Sequence, residues 1–157
     1  DDYRQVGIVT PEGEVAAHSP SKGGVWTGHL LGEGFVAMGN GLAGPQVVAA
    51  IYESFRDSTG DFAERLVGAI EAGYAAGGEL VGQASAGLLV AVPEYDRPLI
   101  DLRIDMATPL PTEGGDAVKD LRRVFDAYKA LAPYYADYWL DNPSVKYKAW
   151  LAREQAA

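Results

Sequence analysis

The chain has 157 residues, 48% of them hydrophobic and 22% charged, an ordinary mixture for one sizeable buried core. Thirteen basic residues stand against 22 acidic ones, a net charge of −9 without any Lys/Arg cluster, which argues against nucleic acid and anionic membrane surfaces as partners. Cysteine is absent, so disulfides, thiolate metal sites and a cysteine nucleophile are excluded within the chain, and no apolar run nears the roughly 18 residues that span a bilayer.

In chain order, Tyr3 to Val9 reads as a strand, Thr10-Pro11-Glu12-Gly13 as a turn, and Val15 to His18 as the returning strand of a hairpin. Ser19 to Gly24 is a polar loop, and residues 25–38 hold a further apolar stretch plus the strand Phe35 to Met38. Two helices are predicted next. The first carries the stripe Val47, Val48, Ile51, Tyr52 and Phe55; the second carries Phe62, Leu66, Ile70 and Tyr74. Pro45 opens the first, Asp61 with Glu64 resembles a capping box for the second, and Gly77-Gly78 stops it. Ala86 to Val92 reads as a strand covered on both faces. Leu99 to Asp105 alternates, which puts Asp101, Arg103 and Asp105 on one face. From Asp116 onward Val118, Leu121, Phe125, Tyr128 and Leu131 mark an amphipathic helix, after which Pro133 and Asn142-Pro143 are expected to cut the tail into shorter pieces.

Between the strand Phe35 to Met38 and the first helix, Gly39-Asn40-Gly41-Leu42-Ala43-Gly44 satisfies the spacing G-x-G-x-x-G. A dinucleotide fold would continue from its helix into a second parallel strand, with an acidic residue about 20 positions on. Here the chain continues strand, helix, helix, strand, and those positions read as a helix junction, Ser58 to Asp61. The glycines are therefore expected to serve a sharp strand-to-helix turn and to bind no nucleotide.

Five stretches carry a family resemblance. They are Arg4-Gln5-Val6-Gly7-Ile8-Val9, the run Gly34-Phe35 to Gly39-Asn40, and Leu42-Ala43-Gly44 followed by Val47-Val48. The others are Ala69-Ile70-Glu71-Ala72-Gly73 with Gly77-Gly78, and Gly82-Gln83-Ala84-Ser85-Ala86. Together, over roughly residues 3–105, they resemble the bacterial domain of unknown function 1028, placed in the N-terminal-nucleophile (Ntn) hydrolase superfamily. The resemblance implies an α+β fold: an αββα four-layer sandwich with two antiparallel sheets face to face and helices outside. On that expectation residues 1–112 form the core, lacking N-terminal strands that the family normally carries, and residues 113–157 form a helical C-terminal extension.

An Ntn hydrolase attacks an amide with the side chain of its first residue, Thr, Ser or Cys, using that residue's own α-amine as base. Asp1 offers no such nucleophile, so the nucleophile is expected on an upstream N-terminal segment or a separate chain. Asn40 is the candidate catalytic residue, a side-chain amide beside glycines that can donate to a developing oxyanion or hold a substrate carbonyl; the competing reading is that it simply tolerates the turn. Gly39, Gln83, Ser85 and His18 are the candidate substrate-binding residues. Between Gly-Gly and Gly-Gln the family tends to have Asp, a basic residue and Arg, where this chain has Glu79, Leu80 and Val81, a departure from the charged contact the resemblance implies.

The two histidines, His18 and His29, have no carboxylates at ligand spacing, so no metal and no cofactor are expected. A Ser85, His18 and Asp101 triad lacks a nucleophile-elbow sequence, and Asp101 with Arg103 reads as a solvated ion pair. The tail concentrates Tyr128, Tyr134, Tyr135, Tyr138, Trp139, Tyr147 and Trp150, read as core or subunit packing with sugar stacking as the alternative. The expectation is an Ntn-type amidohydrolase subunit or fragment acting on a small amide or peptide-like substrate, forming a homo-oligomer, without nucleic-acid or membrane partners. The alternative is a non-catalytic binding or assembly protein on the same scaffold. The cytoplasm is the favoured compartment.

Overall fold

The computed structural model describes residues 2–93, 96–136 and 146–156. The chain divides into two units, Asp1–Leu121 and Arg122–Ala157. The first is a mixture of antiparallel hairpins and two helices. Strands β1 (Val6–Val9) and β2 (Val15–His18) pair with Val6 opposite His18 and Val9 opposite Val15. The turn chemistry of Thr10 to Gly13 closes them: Gly13 takes φ 86°, and the Thr10 N–H donates to Glu14 O at 2.9 Å. Strands β3 (Thr27–Gly32) and β4 (Phe35–Asn40) form a second hairpin, Thr27 opposite Asn40.

The alternation of β4 sets the layering. A Cβ on Gly7 of β1 would meet Met38 Sδ at 3.1 Å and Val36 Cγ1 at 3.4 Å, so these β4 side chains face the first hairpin. Ala37, between them, points the other way and is 3% exposed in a core with Leu42, Val47 and Val48. That opposite face is covered by α1 (Pro45–Asp57), whose first residue is the proline that helix starts favour. Phe35 adds ring contacts to Tyr52 (5.2 Å between centroids) and Phe55 (4.8 Å).

Helix α2 (Phe62–Ala75) begins where Asp61 Oδ1 accepts the Glu64 N–H at 2.9 Å, and ends at Gly77 and Gly78, both at positive φ. Its buried face is not the expected one. Ala63, Val67, Ala69 and Gly73 are buried, whereas Phe62 (51% exposed) and Ile70 (42%) of the predicted stripe are open. The reason is the close approach of the two helices: a Cβ on Gly73 would lie 2.5 Å from Ile51 Cγ1. At Gly73, against Ile51, a side chain does not fit.

Strands β5 (Ala86–Val90) and β6 (Ile100–Ile104) form a third hairpin, Ala86 opposite Ile104. The expectation of a strand covered on both faces fails for β5. Leu88 and Val90 are buried, but Leu89 is 55% exposed, because α2 covers one face only. Among the described residues each sheet has two strands, all antiparallel.

Helix α3 (Ala117–Ala136) starts at Asp116, whose Oδ1 accepts the Val118 and Lys119 N–H groups at 3.0 and 3.2 Å. Val118 and Leu121 are buried in the first unit. In the second unit Phe125 is buried, with Tyr128 and Leu131 half-buried. Pro133 does not end the helix as expected; the helix carries it and runs on to Ala136, at the loss of the one N–H bond that proline cannot make. Asn142-Pro143, Tyr138 and Trp139 lie outside the described residues. Helix α4 (Tyr147–Glu154) brings Tyr147 and Trp150 to 5.3 and 5.5 Å from the Tyr134 ring, and Trp150 is 5% exposed. No described helix is long and apolar enough to cross a membrane.

Candidate functional site

The site grows from the turn between β4 and α1. Gly39 has no Cβ, and one there would meet Leu42 Cδ1 at 2.6 Å, so only glycine lets Leu42 fold back into the core. Gly41 takes φ 67°, the left-handed conformation that reverses the chain after Asn40. The reversed segment is then tied to the end of α2: the Ala43 N–H donates to Gly78 O at 3.0 Å and the Leu80 N–H to Gly41 O at 3.3 Å. Those bonds carry Glu79 to the same wall as Asn40. Downstream, the Ala107 N–H donates to Ala84 O at 2.7 Å and the Ala117 N–H to Gln83 O at 3.1 Å, which pins Gln83 to Ser85 beside them.

The result is a cleft of about 290 Å³. Gly39, Asn40, Tyr74, Glu79, Gln83 and Ser85 supply its polar lining, and Leu42, Val47 and Ile51 are among its apolar residues. Four of the five candidate residues, Gly39, Asn40, Gln83 and Ser85, are therefore neighbours. His18 is not among them; it is an exposed residue of β2.

A network not read from the sequence orients Asn40. Its Nδ2 donates to Gln5 Oε1 at 3.3 Å, which leaves one N–H and the carbonyl Oδ1 for a ligand. Gln5 is itself fixed, with Nε2 3.0 Å from Ser19 Oγ, 3.0 Å from Gly28 O and 3.1 Å from Gly39 O. Ser19 Oγ lies 2.8 Å from His29 Nδ1. Gln5 lies 35 positions before Asn40, too far for any local spacing rule to pair them.

Near Tyr74 of the cleft wall, Asp116 pairs with Lys119 Nζ at 3.2 Å. Burial pushes the Asp116 carboxyl up, but hydrogen bonds from Tyr74 and from Lys119, with the Lys119 charge, outweigh it and hold the group below the usual carboxylate range. The bond to Asp116 in turn raises Lys119. Asp101 is engaged by Arg103 in a two-point contact at 2.7 and 3.0 Å on the exposed face of β6, and that hydrogen bonding lowers its pKa. Its carboxylate is thus committed to a surface ion pair. The described residues contain no group of three or more His, Cys, Asp or Glu placed to hold a metal.

The dinucleotide reading finds no support in the topology. Strand β4 pairs antiparallel with β3, α1 leads to α2, and the next strand, β5, pairs antiparallel with β6.

A family model described as "Family of unknown function (DUF1028)" matches residues 1–114. A crystal structure of a Silicibacter pomeroyi protein, described as a member of the same family, is 26% identical with a TM-score of 0.64. The match covers 88% of this chain and 54% of that one, so the chain spans about half the length of that relative. No curated protein matches the sequence.

Proposed function

We propose, on the premise that this chain belongs to the DUF1028 family of unknown function, that it is the substrate-holding part of an Ntn-type amidohydrolase. The substrate is a small amide or peptide-like molecule, and the nucleophile comes from an upstream segment or a separate chain. Asn40 serves as donor to the substrate carbonyl and to the oxyanion that forms from it. Gln83 and Ser85 hold the rest of the amide, and Gln5 keeps the Asn40 amide in register.

The observation that carries this reading is the meeting of Gly39, Asn40, Gln83 and Ser85 on one cleft from segments more than 40 residues apart in sequence. The layering supports it too, since hairpin on hairpin with helices outside is half of an αββα sandwich. Exposed apolar residues on the first and third hairpins, Val6, Ile8 and Leu89, suit the further strands or second subunit that such a sandwich requires.

Co-expression with the upstream segment tests the proposal. Hydrolysis of small amides is expected only in the complex, and is lost when its exposed first nucleophile is replaced by Ala. Undiminished hydrolysis by the chain alone would refute it. A complex that binds amides without hydrolysing them would favour the alternative, a binding or assembly protein on this scaffold.

A further inference from the structure

Among the described residues lining the Asn40 cleft, Glu79 is the one that carries a charge; the others are apolar, amide, hydroxyl or glycine. Its carboxylate is exposed and makes no ion pair with any described residue, and its chain neighbours Leu80 (57% exposed) and Val81 (82%) are open apolar surface. Glu79 is also held in place by its backbone. It bridges to Leu42, and the bonds Ala43 N–H to Gly78 O and Leu80 N–H to Gly41 O fix the segment on either side. A negative group thus stands at a set position on the wall that carries Asn40.

We infer that the cleft selects an amide that also bears an ammonium group. Asn40 takes the amide carbonyl, Glu79 takes the ammonium, and the apolar wall of Leu42, Val47 and Ile51 takes an aliphatic side chain. The class that combines these is an amino-acid amide or a peptide with a free amino terminus. The chain's net charge of −9 favours the approach of such a cation and opposes a carboxylate-bearing analogue. This inference rests on the reading of the cleft as an amide site, and its test separates the two.

Calorimetric titration of the chain with leucinamide and with N-acetyl-leucinamide, which lacks the charge, is the experiment. Leucinamide is expected to bind roughly 1.5- to fivefold more tightly, the range of one exposed ion pair, and the margin should shrink as salt is raised. Glu79→Gln should abolish the margin while leaving the binding of N-acetyl-leucinamide unchanged. Glu79→Lys should reverse it, so that acetyl-leucine, a carboxylate, overtakes leucinamide. Equal binding of both amides by the unaltered chain would overturn the inference and leave the amide site standing. Failure of both to bind would overturn both.

Discussion

The close approach of α1 and α2 makes a prediction in which one substitution, placed twice in the same helix, acts with opposite sign. At Gly68 a Cβ would meet nothing within 4 Å, so Gly68→Ala should gain only the helix preference of alanine, about 0.5–1 kcal/mol. At Gly73 the same Cβ would lie 2.5 Å from Ile51 Cγ1 and 2.8 Å from Ile51 Cδ1. Overpacking of this kind costs about 1–3 kcal/mol, which exceeds the gain and leaves Gly73→Ala about 1 kcal/mol less stable. The gap of about 2 kcal/mol corresponds to about 4–8 °C in Tm for a chain of this size. Thermal denaturation with a urea titration reads it. Because the clash is with one side chain, truncating it by Ile51→Ala should remove most of the Gly73 penalty in a double-mutant cycle. If Gly68→Ala and Gly73→Ala shift Tm equally, or the penalty persists beside Ala at position 51, the account of the helix interface is wrong.

Other expectations concern the groups around the cleft. Gln5→Ala should lower stability by about 1 kcal/mol, and Gln5→Glu by more at pH 7, since a carboxylate faces the Gly28 and Gly39 carbonyls; urea melts that rank the two the other way would contradict the network. Asp116 is held below its ordinary pKa, so its charge contributes stability above the unfolded value of about 3.9 and loses it as pH falls through the folded value. The deficit of Asp116→Asn should therefore be full at pH 7 and fade below about pH 4, and a deficit constant across that range would count against the ion pair. Nicotinamide and adenine nucleotides should show no binding by calorimetry, and micromolar binding that Gly41→Val abolishes would restore the dinucleotide reading.

Local patterns carried the hairpins and helix ends. The turn at Thr10 to Gly13, proline at the start of α1 and Asp61 before α2 each act within a few residues, and each does so in the structure. The order strand, helix, helix, strand was legible too, and the structure repeats it. The errors on α2 and β5 came from contacts made at a distance. Hydrophobic periodicity on α2 marked its large residues, but a helix pair in close contact buries glycine and alanine, which the pattern weighs little. The apolar run at Ala86 could not reveal that only one face of β5 would be covered. The Gln5, Ser19, His29 and Asn40 network joins four segments, so no spacing within the chain announced it, and Glu79 became notable only once it was seen beside Asn40.

Asn40 is proposed to stabilise charge as it forms on a substrate carbonyl. Steady-state kinetics of Asn40→Ala in the complex with its upstream segment tests this most directly. A fall in kcat of about 100- to 1,000-fold with little change in KM is expected, the pattern of a lost oxyanion donor. An unchanged kcat, whatever happens to KM, would contradict it.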